Sequence, residues 1–139
     1  MIVLDTNVVS EAMRPSPSPQ VLAWLDQQAA ETLHLTAVNL AELLVGVELL
    51  PQGKRKRGLD AALAGLLDEL FGGRVLVFDE QAAKHYAGII GNGHRAGTTI
   101  GVADGQIAAI AAAHGFAVAT RDRGPFEAAG IAVIDPWQA

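Results

Sequence analysis

Cysteine is absent from this chain of 139 residues, which excludes disulfide bridges, thiolate metal ligands and a cysteine nucleophile. Long apolar runs are absent as well, because no segment approaches the roughly 18 consecutive apolar residues that a membrane-spanning helix needs. No charged start precedes an apolar segment in the manner of a signal peptide. We therefore expect a soluble, cytoplasmic protein with no membrane association.

Positive charge is also scarce. The formal net charge is -5 and the isoelectric point is about 5.2, which argues against a broad basic surface for non-specific nucleic-acid binding. A nucleic-acid substrate is still compatible with this charge if metal ions hold it, because bound cations reverse the local electrostatics of a carboxylate cluster.

Hydrophobic residues, by contrast, are plentiful. They make up 50% of the chain, and the mean hydropathy is +0.28, which excludes a disordered protein. The length is that of one domain, so we expect residues 1–139 to form a single domain. The surplus of apolar residues over a modest surface predicts a buried protein interface and therefore an oligomer.

Short apolar segments alternate with helical patterns along the whole chain. The pattern predicts strands at 2–4, 32–35, 75–78, 116–119 and 131–134. It predicts helices at 8–14, 20–30, 37–50, 59–71, 80–90, 102–113 and 126–129. Such alternation is typical of an α/β fold with a parallel central sheet and helices on both faces.

Four carboxylates are predicted to meet at one edge of this sheet. Asp5 and Asp122 follow predicted strands, and Glu42 and Asp104 lie near the starts of predicted helices. In an open parallel sheet these positions face the crevice where ligands bind. Simpler interpretations stay open: Asp5 and Asp104 are also candidate helix N-caps, and Glu42 is a candidate solvent-facing side chain.

Convergence of four acids requires a counter-charge, because like charges repel. Mg²⁺ is the expected cofactor, with Mn²⁺ as an alternative, since neither thiolates nor clustered histidines are available as ligands. Acids that hold such ions most commonly serve phosphoryl transfer, and we expect Thr6, Asn7 and Thr120 to orient the acids and water. The histidines have no ligand spacing and are predicted to lie on the surface; they are His34, His85, His94 and His114.

Two other segments carry structural expectations. The predicted helix at 37–50 is apolar at almost every position, so we expect it to be buried on most sides, with Asn39, Glu42 and Gly46 on one polar stripe. The glycine-rich segment 91–101 is predicted to be a mobile surface loop.

A basic run follows the apolar helix. It consists of Lys54, Arg55, Lys56 and Arg57 and is flanked by glycines. These side chains are candidate RNA contacts, although most runs of this kind are solvated turns.

Four short motifs resemble those of PIN-domain ribonucleases and occur in the same order. Beyond the motifs, the whole chain is similar to the toxins of VapC/FitB-type toxin–antitoxin pairs, including the basic segment at 53–58 and the Pro136-Trp137 pair. The motifs are Leu4-Asp5-Thr6-Asn7, Ala41-Glu42-Leu43, Ala103-Asp104-Gly105-Gln106-Ile107-Ala108-Ala109 and Thr120-Arg121-Asp122.

The resemblance implies a Mg²⁺-dependent endoribonuclease that is neutralised by a cognate antitoxin. Such antitoxins usually carry a DNA-binding domain, so operator DNA is expected to be bound only through the antitoxin. The resemblance also implies a homodimer with an acidic groove, and a metal site formed by Asp5, Glu42, Asp104 and Asp122. Asp122 departs from many relatives, which have Asn there, and its extra charge either strengthens metal binding or relocates it.

Two other functions fit parts of the pattern. The same fold could serve as a non-catalytic partner that tunes an antitoxin's DNA binding, with its acids receiving the partner's Arg or Lys. The Asp5-x-Asn7 spacing also suggests a phosphohydrolase in which Asp5 is a covalent nucleophile. That mechanism needs a lysine at a later strand exit, and none of Lys54, Lys56 and Lys84 is at one.

Overall fold

Five parallel strands form one sheet at the centre of the computed structural model, which describes residues 1–139. The first strand in the sequence is the middle strand of the sheet, and a 3₁₀ turn (Ala30–Thr32) precedes the second. In chain order the elements are β1 (Ile2–Leu4), α1 (Thr6–Ala12), α2 (Pro19–Asp26), β2 (Leu33–Thr36), α3 (Ala37–Glu48), α4 (Lys54–Glu69), β3 (Val75–Leu76), α5 (Glu80–Arg95), α6 (Val102–His114), β4 (Ala117–Ala119), α7 (Arg123–Ala128) and β5 (Val133–Ile134).

The strand order is β3-β2-β1-β4-β5, which places β1 between β2 and β4. Ile2 is in register with Leu33 on one side and with Ala117 on the other. The ladder continues past β1, because the backbone N–H of Asp5 donates to the Ala119 carbonyl over 2.9 Å. The residues that follow β1 and β4 therefore leave the sheet side by side.

Each face of the sheet has its own hydrophobic core. Side chains alternate along β1, so Leu4 packs with the helices from α1 to α4, while Val3 packs with α5, α6 and α7. This arrangement confirms the predicted α/β fold with a parallel sheet and helices on both faces. None of the helices is both long and apolar enough to cross a membrane.

The predicted bounds of several helices were wrong: α2 ends at Asp26 instead of residue 30, α7 begins at Arg123 instead of residue 126, and α4 and α5 differ as follows. The basic run forms the first helical turn of α4, whereas the sequence predicts a loop there and a helix that begins at residue 59. Gly53, with φ 152°, is the N-cap residue of α4, and the Lys and Arg residues that follow it are good helix formers. Helix α5 extends to Arg95, so the first half of the predicted 91–101 loop is helical. Glycine is required at position 93 of this helix, because the Thr98 carbonyl oxygen lies 2.9 Å from where a Cβ atom would be.

The expectation that the apolar helix is buried on most sides was also wrong. In α3 only Asn39, Leu43 and Val47 are buried. The opposite face of the helix leaves Leu44 and Val45 about half exposed, at 46% and 54%. The helix thus packs on the sheet along one narrow stripe and presents a second apolar face to solvent.

His34 is buried, contrary to the prediction that all four histidines lie on the surface. It sits on β2, which is flanked by β1 and β3, and its ring packs against that of Phe116 with 4.8 Å between centroids. Burial lowers the pKa of His34 below its ordinary value of 6.5, opposed in part by a hydrogen bond with the Thr32 carbonyl.

Candidate active site

Asp5 lies at the exit of the central strand and is only 6% exposed. Its Oδ1 accepts hydrogen bonds from the Thr6 backbone N–H at 2.8 Å and from Asn39 Nδ2 at 3.2 Å, and its Oδ2 accepts from Thr120 Oγ1 at 2.8 Å. Burial raises the pKa of Asp5; these hydrogen bonds oppose the rise, and the Asp122 charge adds to it. Asp5 caps α1, as the simpler interpretation holds, and the same carboxylate faces the other acids.

Asn39 supports this carboxylate, although the sequence pattern places it only on the polar stripe and does not assign it to the site. It is fully buried and forms a capping box with Thr36, whose Oγ1 lies 2.6 Å from Asn39 Oδ1. The amide nitrogen is thereby directed at Asp5 Oδ1 and Thr6 Oγ1, both at 3.2 Å. The available signal was the Thr36-x-x-Asn39 spacing at the start of a helix that follows a strand.

Thr6 connects Asp5 to the second acid. Its hydroxyl donates to Glu42 Oε1 over 2.9 Å, while accepting from Asn39. Glu42 is exposed on α3, one turn beyond Asn39, so its carboxylate is held at one oxygen and otherwise faces solvent. Glu42 therefore both faces solvent and belongs to the site, so the two interpretations of this residue are compatible.

Thr120 organises the other side of Asp5. Besides donating to Asp5, its Oγ1 accepts from Asn7 Nδ2 at 3.2 Å and from the Asp122 backbone N–H at 3.0 Å. The three predicted orienting residues, Thr6, Asn7 and Thr120, are thus all within the hydrogen-bond network around the acids. Asp122 itself is exposed at the start of α7 and makes no side-chain capping bond.

Asp104 enters from the other face of the sheet, on the first turn of α6. The N-cap of this helix is Gly101, so the N-cap interpretation of Asp104 is wrong. Partial burial raises the pKa of Asp104, and the charges of Asp5, Asp122 and Glu42 raise it further, in that order. The other three predicted acids are therefore close enough to Asp104 to act on it electrostatically.

No basic side chain neutralises this acid cluster. The ion pairs of the molecule lie elsewhere, between Arg14 and Glu11, Lys84 and Glu80, and Arg123 and Glu127. Asp5, Glu42, Asp104 and Asp122 are consequently like charges without a protein counter-charge, which is the condition that a bound divalent cation relieves.

The chemistry of these donors fits a hard divalent cation. Carboxylate, hydroxyl and amide oxygens are the ligands that Mg²⁺ and Mn²⁺ prefer. No group of three or more acidic, histidine or cysteine side chains is drawn together as closely as a direct ligand set. Mg²⁺ does not require such a set, because it usually keeps several waters and takes only one or two carboxylates from the protein.

A cleft of about 610 Å³ opens beside Glu42 between α1, α3 and α4. Thr6 and Glu42 line one end of the cleft, and Arg55 of the basic run lines another part. Lys56 instead turns back, and its Nζ donates to the Glu48 carbonyl at 3.0 Å. Lys54 and Arg57 are exposed. The structure thus brings one of the four basic side chains to the cleft that contains an acid.

The PIN domain family matches residues 2–131, and the chain belongs to that family. It is 50% identical over 138 residues to VapC ribonuclease Y4jK of Sinorhizobium fredii, covering 99% of each chain. It is 49% identical over 137 residues to Toxin FitB of Neisseria gonorrhoeae, again covering 99% of each. The expected family membership is thereby confirmed.

Solved structures agree with this assignment. The crystal structure of FitAcB from Neisseria gonorrhoeae matches with a TM-score of 0.94 and 48% identity, over 100% of both chains. A structure of FitAB bound to an IR36 DNA fragment matches with a TM-score of 0.93 and 47% identity, over 99% of this chain and 96% of that one.

Proposed function

We propose that this PIN-domain protein is the endoribonuclease toxin of a toxin–antitoxin pair and that it hydrolyses RNA phosphodiester bonds at its acid cluster. The observation that carries the proposal is the convergence of Asp5, Glu42, Asp104 and Asp122 without a basic partner. The similarity to a VapC ribonuclease at 50% identity and to Toxin FitB at 49% identity supports the reaction class.

Mg²⁺ is the proposed cofactor, with Mn²⁺ able to replace it. Asp5, Glu42, Asp104 and Asp122 would hold the metal, which when bound activates water and stabilises the leaving oxygen. Thr120 and Asn39 fix the Asp5 carboxylate from opposite sides through the bonds described above. Their role is to keep the Asp5 oxygens in place while the charge around them changes.

RNA would approach along the cleft beside Glu42. Arg55 lies in that cleft and is placed to contact a phosphate, while Lys54 and Arg57 at the exposed start of α4 add positive potential. We assign Lys56 a smaller share in RNA binding, because its ammonium group already donates to the Glu48 carbonyl.

The proposed protein partners are a cognate antitoxin and a second copy of the chain. The FitAB structure bound to DNA supports an antitoxin that carries the operator contacts. The exposed apolar face of α3, with Leu44, Val45 and the 79%-exposed Leu49, supports a homodimer or another buried interface. We further propose that residues 1–139 act as one nuclease domain and that it acts in the cytoplasm.

The function is tested with purified, antitoxin-free protein and a set of structured and unstructured RNAs. Reactions contain Mg²⁺, Mn²⁺ or EDTA, with Asp5→Asn as the inactive variant and Asp60→Asn, an exposed change on α4, as the matched control. We expect cleavage only with a divalent metal, lost in Asp5→Asn and kept in Asp60→Asn. A folded protein that cleaves no RNA with either metal would support the non-catalytic partner role instead.

A further inference from the structure

Arg121 lies at the rim of the acid cluster, with its guanidinium over an aromatic ring. The central carbon of the guanidinium is 5.0 Å from the centroid of the Trp137 ring, a distance at which a cation is attracted to the negative face of the indole. Neither residue belongs to the acids or to the side chains that orient them.

Trp137 is held firmly enough to serve as a platform. Its backbone N–H donates to Asp135 Oδ1 over 2.9 Å, and Asp135 and Pro136 are both buried. The Trp137 side chain also packs against the core that contains Leu4. The indole is therefore packed on the same hydrophobic core as Leu4, the last residue of β1.

The backbone of Arg121 is tied directly to the site. Its N–H donates to Asn7 Oδ1 over 3.3 Å, and it stands between Thr120, which bonds Asp5, and Asp122. Arg121 is thus held at two points: its backbone N–H bonds to Asn7, and its guanidinium contacts Trp137.

The charge of Arg121 is otherwise unused. It forms no ion pair and no side-chain hydrogen bond, whereas Arg123 on the next helix pairs with Glu127 at 2.8 Å. The contact with the indole restrains the guanidinium, and no protein group accepts a hydrogen bond from the N–H groups along its edge. That edge is the fork that binds phosphate oxygens in bidentate fashion.

We propose that Arg121, held by Trp137, binds a phosphate of the RNA backbone next to the bond that is cut. A polyanion approaching four acids meets repulsion, and a fixed cation at the rim offsets part of it without contacting the acids. Trp137 is a positioning residue in this scheme, since it acts only through Arg121. The inference rests on the proposed ribonuclease function.

The test compares Arg121→Gln with the matched control Arg123→Gln, which removes an exposed arginine two residues away. Wild-type cleavage of single-stranded RNA is measured first. Binding of a fluorescent single-stranded RNA pool is then measured in an Asp104→Asn background with Mg²⁺, across a series of salt concentrations. Trp137→Leu removes the platform, and Trp137→Phe keeps an aromatic face.

We expect Arg121→Gln to weaken RNA binding by about tenfold, the value of one charge-assisted hydrogen bond. It should reduce the slope of log K against log salt by about 0.7, the value for one phosphate of a single strand. In protein with an intact Asp104, Arg121→Gln should raise KM and leave kcat within about twofold of wild type, because the phosphate contact stabilises the bound RNA and the transition state equally. Trp137→Leu should weaken binding by about two- to fivefold, and Trp137→Phe should restore most of it.

The outcomes separate the inference from the function on which it rests. Wild-type protein that neither binds nor cleaves RNA would overturn the proposed function itself. Active wild-type protein with Arg121→Gln indistinguishable from Arg123→Gln would overturn only the role of Arg121. Since Arg121 is exposed, its variant decides the question even if Trp137→Leu fails to fold.

Discussion

Thr120 donates a hydrogen bond from Oγ1 to Oδ2 of Asp5 over 2.8 Å, although 115 residues separate the two in sequence. The bond joins the exits of two neighbouring parallel strands and fixes the most buried acid of the site. Because Thr120 also accepts from Asn7 and from the Asp122 backbone, one hydroxyl connects three parts of the PIN-domain site.

The first prediction concerns that hydroxyl. Thr120→Val keeps the shape of the side chain but leaves Asp5 without one of its three hydrogen bonds, so we expect cleavage to fall by about 10- to 100-fold. Thr120→Ser keeps the hydroxyl and should retain most of the activity. Steady-state cleavage assays compare the two variants, and equal activity in Thr120→Val and wild type would contradict the role of this bond.

A second prediction pairs lost activity with gained stability. The pKa of Asp104 is raised above 3.8, so in metal-free protein the native carboxyl holds its proton to a higher pH than the unfolded one. The ionised carboxylate therefore costs stability at neutral pH, and this cost is relieved as the pH falls through the raised pKa towards 3.8. Asp104→Asn should abolish cleavage and raise the melting temperature of metal-free protein at pH 7.

The control for this variant is Asp60→Asn, which removes an exposed carboxylate outside the cluster. Thermal unfolding of both proteins is followed in EDTA by circular dichroism. A melting temperature for Asp104→Asn at or below that of the control would show that repulsion among the acids is not being relieved.

The third prediction concerns the metal. Because an ion that binds only the folded state stabilises it by mass action, Mg²⁺ at 100 times its Kd should add about 2.7 kcal/mol to the free energy of unfolding. EDTA should reverse the gain, and Asp5→Asn should lose most of it. Differential scanning calorimetry with and without Mg²⁺ measures the effect, and an equal gain in both proteins would place the ion elsewhere.

A fourth prediction follows from the buried histidine. The pKa of His34 is lowered below 6.5, so the unfolded state takes up a proton at a pH where the native state does not. Stability is full above about pH 6.5 and falls as the pH drops through that value, levelling off below the native pKa. Chemical denaturation between pH 5 and 8, roughly the range in which histidine titrates, should show this slope in wild type.

His34→Gln removes the titrating group and should flatten the dependence of stability on pH. His85→Gln, which removes an exposed histidine of α5, should leave that dependence unchanged. The ring of His114 also packs against Phe116, with 5.2 Å between centroids, and its charge acts on His34. His114→Gln therefore serves as a second comparison. A wild-type slope that survives in His34→Gln would assign the effect to another group.

The fifth prediction separates the four basic residues at the start of α4. Arg55→Gln should weaken RNA binding more than Lys56→Gln, because Arg55 lines the cleft and the Lys56 ammonium is engaged with Glu48. Removing a side chain that binds one phosphate should reduce the salt slope by about 0.7. Filter binding over a salt series measures both quantities, and equal effects of the two variants would indicate a diffuse positive potential instead of a specific phosphate contact.

Several features of this protein could be predicted from local patterns. Asp5 directly follows one apolar run and Asp122 follows another after Thr120 and Arg121, so both acids mark strand exits. Strand–helix alternation predicts a parallel sheet, and the edge where the acids lie then follows from chain order. Thr36 and Asp79 each directly precede a helix and are of the residue types that favour the N-cap. In the structure each side chain accepts from a backbone N–H three residues on.

Other features depend on which element packs against which. Asn39 lies in a predicted polar stripe, but only the packing of α3 beside the exit of β1 directs its amide at Asp5. The second apolar face of α3 is exposed because the sheet covers just one side of the helix. The residues of that face would be the same whether it met a core, a partner or water, so the sequence alone does not predict its exposure.

Residue type and spacing along the chain are sufficient to predict the five strands, the order of the acids and the family. Three contacts depend on the tertiary structure: His34 packs against Phe116, Thr120 bonds to Asp5, and Arg121 lies over Trp137. These are contacts between distant segments, and a contact of that kind exists only once the sheet order brings the segments together.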